Sequence, residues 1–167
     1  ILPTARRHEK AQYEGAEVFI PPIGLFEWVA TFDMSRYYPS IMIAYNLTPE
    51  KTKGKGIVPK LAEELIAKRQ EYDDLMKKLE PGTEEFKRVK ASRDVVKFLV
   101  NSLYGYFGSP KSRLYNKYIA SKVTEVGRKG LLFIRDQLEK QKIRVLYADT
   151  DGLFVQTSDP KGLEPTM

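Results

Sequence analysis

The stretch Tyr147–Asp151, which reads Tyr-Ala-Asp-Thr-Asp, lies between two short apolar runs, Ile143–Leu146 and Leu153–Val155. Two strand-forming runs joined by so short a polar break are typical of a β-hairpin. The sequence therefore predicts that both carboxylates lie at the tip of this hairpin, open to solvent. An isolated Asp-x-Asp more often belongs to a solvated turn, because aspartate favours turns, so the neighbouring segments decide its meaning.

A further carboxylate ends a second β-rich run, because Trp28–Phe32 is followed directly by Asp33. If the two strands are neighbours, Asp33 faces Asp151. Carboxylates that converge without a balancing base repel each other unless a cation lies between them. Carboxylate oxygens are ligands that Mg²⁺ prefers, and a pair of such ions suits reactions of a phosphoryl group.

Helical apolar spacing fills most of the chain between the two acidic segments. A short buried helix is predicted over Tyr38–Tyr45, and long helices over Pro59–Leu79, from Thr83 to about Tyr104, and over about Lys117–Gln141. The Pro81-Gly82 break between the first two long helices is so short that they must run antiparallel. The predicted fold class is α+β: an antiparallel sheet bearing the acidic hairpin, with helices on one face and an inserted antiparallel two-helix hairpin.

The composition describes a basic chain of one domain's length. Its 167 residues include 28 Lys and Arg against 22 Asp and Glu, a formal net charge of +6. An excess of this sign favours an acidic partner, of which nucleic acid is the commonest. There is no cysteine, which excludes disulfides and thiolate metal sites. No apolar run approaches about 18 residues and no signal peptide is evident, so we expect a soluble, intracellular protein without a membrane partner.

One face of the second long helix carries a mixed polar stripe. Lys97, Asn101 and Tyr104 are spaced by four and three residues, and Arg93 continues the face one turn earlier. Arg69 on the facing helix reaches the same space if the helices pair as predicted, and its planar fork suits phosphate oxygens. Such a stripe offers cations for phosphates and an aromatic ring for a base or sugar. A solvated polar face is the alternative, and Tyr104 equally suits a helix end packed on the sheet.

Three ordered segments together resemble motifs of the family B DNA polymerases. They are Asp33-x-x-x-x-Tyr38-Pro39-Ser40-Ile41, Lys97-x-x-x-Asn101-Ser102-x-Tyr104-Gly105 and Tyr147-x-Asp149-Thr150-Asp151. Tyr13–Ala16 is similar to a short motif that precedes the palm domain of that family. The similarity spans essentially the whole chain, and Gly152 after the last motif favours archaeal members.

The resemblance implies the core of a DNA-directed DNA polymerase, which transfers a nucleotide from a dNTP to a primer 3′-hydroxyl. Residues 1–56 and 109–167 would be two parts of the palm, and residues 57–108 a helical-hairpin fingers domain. The implied cofactor is a pair of Mg²⁺ ions, with Mn²⁺ as a substitute. The implied metal ligands are Asp33 and Asp151, with Asp149 as a candidate third ligand and the backbone carbonyl of Met34 as an additional one.

The same resemblance assigns roles in catalysis and nucleotide binding. The three aspartates and Lys97 are the implied catalytic groups; Lys97 is the candidate proton donor to pyrophosphate, although a purely electrostatic role is equally consistent. The ring of Tyr38 would lie under the incoming sugar and exclude a 2′-hydroxyl. The implied nucleotide-binding residues are Met34, Ser35, Arg36, Tyr37, Tyr38, Arg69, Lys97, Asn101 and Tyr104.

The chain also departs from the family pattern. Arg36 and Tyr37 stand where relatives usually carry Ser or Ala and then Leu, and Tyr37 is bulky for a site next to the sugar-excluding ring. One turn after Arg69 the family commonly has a second lysine, whereas this chain has Asp73. An acid there would weaken triphosphate binding if it faced the site.

The resemblance implies primer–template DNA and dNTP as partners, together with missing exonuclease and thumb segments or a complementary polymerase subunit. Without a thumb, the chain is expected to hold DNA poorly, because duplex affinity comes mainly from phosphate contacts. The alternative is a non-catalytic, polymerase-derived module for nucleic-acid binding or assembly. The expected location is the cytoplasm, near the nucleoid, in a prokaryote and the nucleus in a eukaryote.

Overall fold

The computed structural model of the chain describes residues 12–157 and confirms the α+β class within them. The strands are β1 (Val18–Phe19), β2 (Val29–Asp33), β3 (Arg144–Asp149) and β4 (Gly152–Gln156). The helices are α1 (Tyr37–Ala44), α2 (Ile57–Met76), α3 (Glu84–Gly108) and α4 (Lys117–Lys140). No helix in residues 12–157 combines the length and the apolar character that a membrane crossing requires.

The four strands form one sheet in the order β1-β3-β4-β2, with every neighbouring pair antiparallel. The structure thus confirms that β2 and the acidic hairpin are neighbours. The hairpin strands are longer than the sequence predicted, because the β3–β4 ladder continues to the pair Asp149 and Gly152. Only Thr150 and Asp151 form the loop, so the prediction that both acids of the hairpin lie at its tip is wrong for Asp149.

The chain divides into two compact units. One, the helical unit, comprises residues 12–13 and 38–123 of the described range; the other, the sheet unit, comprises residues 14–37 and 124–157. The core of the sheet unit is formed by one helix residue, Leu131, and three strand residues, Ala148, Leu153 and Val155, all at most 2% exposed. Side chains alternate along a strand, so this face of the sheet is apolar and packs against the second half of α4.

Helices α2 and α3 form the pair that dominates the helical unit. The turn between them contains Gly82 at φ 94°, which glycine adopts without steric cost. Helix α3 begins at its N-cap Thr83, whose hydroxyl accepts a hydrogen bond from the amide of Phe86 at 3.2 Å. Asp73 of α2 forms an ion pair with Arg93 of α3, which fits the predicted antiparallel course.

The prediction that α3 ends near Tyr104 is wrong, because the helix continues through Gly108. Gly105 keeps a helical conformation instead of the left-handed one that commonly terminates helices. The extra turn buries Phe107, which is only 1% exposed. Burial of a large aromatic side chain stabilises the additional turn against the weak helix propensity of glycine.

Burial is uneven along the α2–α3 pair. The buried side chains of α2 are at its start, Val58, Pro59 and Ala62, and those of α3 are in its second half, Val96, Val100 and Phe107. In an antiparallel pair these stretches face each other, so the apolar packing lies at one end. No residue from 63 to 95 is buried. We call residues 63–95 the distal hairpin.

Candidate functional site

The acidic residues of the sheet unit lie at one end of three adjacent strands. Asp33 is the last residue of β2 and Asp149 the last of β3, and both are registered opposite Gly152, the first residue of β4. Strand β4 therefore lies between Asp33 and Asp149. Sheet geometry sets their backbones roughly 9–10 Å apart. Asp151 precedes Gly152 in the hairpin loop.

Backbone hydrogen bonds fix the turn after β2 to the acidic loop. The amide of Met34 donates to the carbonyl of Asp151 at 2.8 Å, and the amide of Ser35 donates to the carbonyl of Asp33 at 3.1 Å. The Met34 side chain packs against the sheet core. These contacts tie both Asp33 and the loop at Asp151 to the sheet, so the sheet fixes their relative position.

The electrostatics of Asp151 reflect its acidic neighbours. Burial raises the pKa of Asp151 above its ordinary value, and the negative charges of Asp33 and Asp149 raise it further, against a smaller lowering by a backbone hydrogen bond. The charge of Asp33 is thus close enough to Asp151 to affect its pKa. In residues 12–157 no three His, Cys, Asp or Glu side chains form a group that could hold a metal ion. The donor chemistry of the Asp33–Asp151 pair nevertheless fits a hard divalent cation, which would relieve this repulsion.

The hairpin loop itself is conformationally unusual. Thr150 has φ 57°, a value that is uncommon for a β-branched residue. Two-residue hairpin loops favour positive φ at their first position, normally supplied by Asn, Asp or Gly. The Thr150 hydroxyl donates to the Asp149 carboxylate at 2.8 Å, and the Tyr147 hydroxyl donates to it at 3.3 Å. These two bonds orient the Asp149 side chain.

Tyr37 packs against α4 within the sheet unit. Its hydroxyl donates to the carbonyl of Gly127 at 2.8 Å, and a Cβ added to Gly130 would lie only 2.2 Å from that hydroxyl oxygen. Gly130 therefore provides the space that the bulky ring needs. Burial, followed by the charge of Asp151, raises the pKa of Tyr37. Arg36 has φ 61°, and its Nε atom is buried without a hydrogen-bond partner in the described part of the chain.

Three tyrosines meet in the helical unit. The rings of Tyr38 and Tyr104 pack edge to face, with centroids 4.7 Å apart. The hydroxyls of Tyr104 and Tyr13 are 3.2 Å apart and share a hydrogen bond. Burial, and next this hydrogen bond, raise the pKa of Tyr104 well above its usual range. The contact fixes the ring of Tyr38 by way of Tyr104, and Tyr104 is not the helix end that the sequence left as an alternative.

The mixed polar stripe of α3, which begins at Arg93, meets an acid on α2. The Nε atom of Arg93 donates to Asp73 at 2.8 Å, and the Nε atom of Arg69 lies 3.8 Å from the other oxygen of that carboxylate. Asp73 therefore faces the same side as the two arginines. Lys97 and Asn101 are exposed, and Lys97 forms no ion pair within residues 12–157.

The structure places the predicted site residues in two sets, each within one unit. The sheet unit contains Asp33, Met34, Ser35, Arg36, Tyr37, Asp149 and Asp151, and the helical unit contains Tyr38, Arg69, Lys97, Asn101 and Tyr104. Sequence reasoning missed the partners of these residues. Tyr13 and Tyr104 are 91 positions apart, and Tyr37 and Gly127 are 90 positions apart. The Gly127-x-x-Gly130 spacing inside the amphipathic helix α4 was a local signal of a close approach.

Arg128 is a further residue that sequence reasoning missed. Its guanidinium donates to the carbonyls of Glu14 and Gly15 and lies 2.9 Å from the Glu14 carboxylate. The Thr124 hydroxyl donates to the same Glu14 carbonyl at 2.8 Å. Helix α4 thereby holds the segment that follows Tyr13 within the sheet unit.

The α+β arrangement, with its acid-bearing hairpin and long helical pair, has a close counterpart among solved structures. The family B DNA polymerase from the hyperthermophilic archaeon Pyrobaculum calidifontis superimposes with a TM-score of 0.76 and 29% sequence identity, over 96% of this chain and 24% of that chain. The sequence also matches the profile of DNA polymerase family B over residues 1–52 and 50–163. This chain belongs to DNA polymerase family B.

Sequence relatives support the same assignment. The chain is 33% identical to DNA polymerase 1 of Pyrococcus abyssi (strain GE5 / Orsay) over 91% of its own length and 23% of the relative's. It is 34% identical to a DNA polymerase of Archaeoglobus fulgidus, over 93% and 22% of the two lengths. The DNA polymerase alpha catalytic subunit of Xenopus laevis is 28% identical, over 92% and 12%. The chain thus spans less than a quarter of each of these relatives, and its archaeal similarity fits the expectation from Gly152.

Proposed function

We propose that this chain is the core of a DNA-directed DNA polymerase, acting as part of a larger or split enzyme on primer–template DNA and dNTP. One observation carries the proposal: the β2–β4 register sets Asp33 opposite the residue that follows Asp151, and the charge of Asp33 raises the pKa of Asp151. A fold that holds two carboxylates against their mutual repulsion gains most when a cation binds them.

The proposed cofactor is a pair of Mg²⁺ ions, for which Mn²⁺ can substitute. Asp33 and Asp151 would hold them, with Asp149 and the Met34 carbonyl as further ligands. Bound divalent metal lowers the pKa of a primer 3′-hydroxyl and neutralises the charge of the triphosphate and pyrophosphate. The contribution of the chain is to fix the carboxylates, through the strand register and the Met34–Asp151 hydrogen bond.

We assign nucleotide binding to the mixed polar stripe of α3 together with Arg69 of α2. Lys97 is an exposed cation on α3, and Arg69 is a cation on α2 whose neighbour Asp73 pairs with Arg93 of α3. We assign both to the triphosphate, with a hydrogen bond from Asn101. We also assign Lys97 the role of giving a proton to pyrophosphate, or of stabilising it by charge alone. Phosphoryl transfer depends mainly on positioning and on cations, which these groups supply.

Sugar selection is assigned to Tyr38. A ring in edge-to-face contact with Tyr104, which in turn hydrogen bonds Tyr13, has little freedom to move away from a 2′-hydroxyl. Tyr104 would border the nascent base pair. Replacing Tyr38 by alanine is expected to raise ribonucleotide incorporation, and unchanged sugar discrimination in that variant would exclude this role.

In domain terms, we propose that residues 1–56 and 109–167 are the two parts of the palm and that residues 57–108 are the fingers. The turn residues Ser35, Arg36 and Tyr37 would border the nucleotide as part of the palm. The contact between Tyr37 and α4 gives this residue a packing role as well.

Mg²⁺-dependent primer extension tests the proposal. Asp33→Ala is expected to reduce extension at least about a thousandfold, because metal ligands supply several kcal/mol of transition-state stabilisation. Asp136→Ala is the matched control, since Asp136 is a half-exposed carboxylate on α4, paired with Arg135. That variant is expected to retain wild-type activity.

A thermal-shift measurement accompanies the assay. Mg²⁺ with a dNTP is expected to raise the Tm of the wild-type chain and not that of Asp33→Ala, as ligand linkage requires. Absence of both extension and the Tm shift in the wild-type chain, when folded, would reject the polymerase proposal in favour of a non-catalytic binding or assembly module.

A further inference from the structure

We propose that Asp73 is a built-in competing anion, which occupies the cations of the triphosphate site and lowers the affinity of the chain for nucleoside triphosphates. The inference deepens the proposed function and rests on its assignment of Arg69 and Lys97 to the triphosphate. It concerns the acid that stands one turn after Arg69 on α2.

The geometry places Asp73 between two arginines from facing helices. Arg69 and Asp73 are four residues apart on α2 and so share one face, while Arg93 and Lys97 are four apart on α3. One oxygen of the carboxylate accepts from Arg93 at 2.8 Å and the other lies 3.8 Å from Arg69. Asp73 thus addresses both arginines with its two oxygens.

Partial burial strengthens these contacts. The side chains of Arg69, Asp73 and Arg93 are 17%, 26% and 24% exposed. Charges at this depth are screened less by salt than the more exposed ion pairs of the same helices, such as Lys68–Glu71 and Lys77–Asp74. The surroundings therefore favour a carboxylate between the arginines, which is also the chemistry by which guanidinium groups recognise phosphate.

The charge balance gives the direction of the effect. Arg69, Arg93 and Lys97 carry three positive charges. Asp73 contributes one negative charge and Asp94, which lies 3.1 Å from Arg93, contributes another, so Asp73 by itself offsets one of the three positive charges. A triphosphate that binds Arg69 has to displace Asp73 or accept its repulsion. At a separation of several ångströms near a protein surface, one such charge changes affinity by roughly three- to tenfold.

The competing explanation is that Asp73 only ties α2 to α3. This ion pair does join the two helices. It matters structurally because no residue of the distal hairpin is buried. The two explanations predict different measurements. If Asp73 is only a structural tie, removing its charge changes Tm and leaves polyphosphate affinity unchanged or lower. If Asp73 is a competing anion, removing its charge raises polyphosphate affinity.

The test uses inorganic tripolyphosphate, without divalent metal, in isothermal titration of the full chain. Asp73→Asn is expected to bind it roughly three- to tenfold more tightly than wild type, with the difference shrinking as salt is raised. Arg93→Gln is expected to bind several-fold more weakly, because it leaves Asp73 to Arg69 alone. Asp74→Asn is the control, since Asp74 is a neighbouring, half-exposed acid paired with Lys77, and it is expected to bind within twofold of wild type.

Equal or weaker binding by Asp73→Asn, at wild-type helix content, would overturn the inference. If that variant loses helix content, the double variant Asp73→Asn/Arg93→Gln, whose charges stay balanced, replaces it. Affinity of the double variant below wild type then overturns the inference, and affinity at or above wild type supports it.

The outcome is separable from that of the proposed function. Tripolyphosphate binding needs neither Asp33 nor metal, so Asp33→Ala is expected to titrate as wild type does. Tighter binding by Asp73→Asn in a chain that extends no primer would reject polymerase activity alone. Unchanged binding by Asp73→Asn in a chain whose extension depends on Asp33 would reject the role of Asp73 alone.

Discussion

The sheet unit and the distal hairpin are stabilised by different kinds of interaction. The sheet unit has an apolar core formed by Leu131, Ala148, Leu153 and Val155, and a hydrogen-bonded ladder ends at its carboxylates. The distal hairpin has no buried side chain, and its polar contacts include four ion pairs: Lys68–Glu71, Lys77–Asp74, Lys87–Glu84 and Arg93–Asp73.

This difference sets the local stability expected of each region. Exposed ion pairs within one helix contribute only a few tenths of a kcal/mol each, whereas burial of one large apolar side chain contributes about 1.5–3 kcal/mol. Segments with little buried apolar surface open at low free-energy cost. We therefore expect the segment that carries the sheet-unit acids to resist local unfolding, and the distal hairpin, which carries Arg69 and Arg93, to unfold locally at lower cost.

The comparison is tested most strongly by truncating one leucine in each region. Leu131→Ala is expected to lower the free energy of unfolding by about 2–5 kcal/mol, because it leaves a cavity in the core of the sheet unit. Leu75→Ala, at a side chain 45% exposed in the distal hairpin, is expected to cost less than about 1 kcal/mol. Urea unfolding followed by circular dichroism measures both, and equal losses would contradict the contrast.

Two helical glycines, Gly130 in the sheet unit and Gly105 in the helical unit beyond the distal hairpin, extend the comparison to single atoms. Gly130→Ala is expected to destabilise the chain by about 1–3 kcal/mol, because the new Cβ would lie 2.2 Å from the Tyr37 hydroxyl. Gly105→Ala on α3, where nothing lies within 4 Å, is expected to stabilise it by about 0.5–1 kcal/mol through helix propensity.

The Tyr37→Phe background provides the control for this clash. Phenylalanine removes the oxygen, and the next ring atom is 3.4 Å from the added Cβ, an ordinary contact. Gly130→Ala is therefore expected to be neutral or stabilising in that background. A Gly130→Ala that destabilises both backgrounds equally would show that the Tyr37 contact is not its cause.

The smallest predicted effect concerns the repulsion between the carboxylates of the sheet unit. The pKa of Asp151 is raised, mainly by burial and then by Asp33, so the folded chain binds this proton more tightly than the unfolded chain. Its contribution to stability is fully present below the ordinary value of 3.8 and is lost as pH rises through the raised pKa. Above that pH and without metal, Asp151→Asn is expected to raise Tm by on the order of one degree.

Calorimetry of this variant against pH provides the check. The stability that Asp151 contributes to the wild-type chain at low pH should be absent from Asp151→Asn. Any rise in Tm that Mg²⁺ causes in the wild-type chain should be absent as well. A lower Tm for Asp151→Asn near neutral pH would contradict the repulsion between Asp33 and Asp151.

Local patterns in the sequence predicted the elements and one long-range relation. The apolar spacing predicted α2 and α4 to within three residues, and the N-cap at Thr83 marked the start of α3. The placement of Asp33 and Asp151 after strand-forming runs predicted the neighbouring strands that the structure confirms. Ligation of metal by these acids stays a prediction.

The remaining features depend on packing that no local pattern encodes. The end of α3 was missed because burial of Phe107 overrides the helix-ending tendency of Gly105. The Asp73–Arg93 pair spans 20 positions and two helices, so the sequence showed an acid at Asp73 without showing which cations it meets. Tertiary contacts of this kind decide whether a charged residue belongs to a site.

The bare interior of the distal hairpin also has an evolutionary consequence. Since no side chain from 63 to 95 is buried, substitutions that change the charge at Asp73 or Arg93 meet little steric selection. The polyphosphate affinity proposed for this region could then change, or be engineered, through such charges without altering the strand register of the carboxylates. Residues 63–95 would then be free to change in charge, while the strands that carry the carboxylates would be constrained.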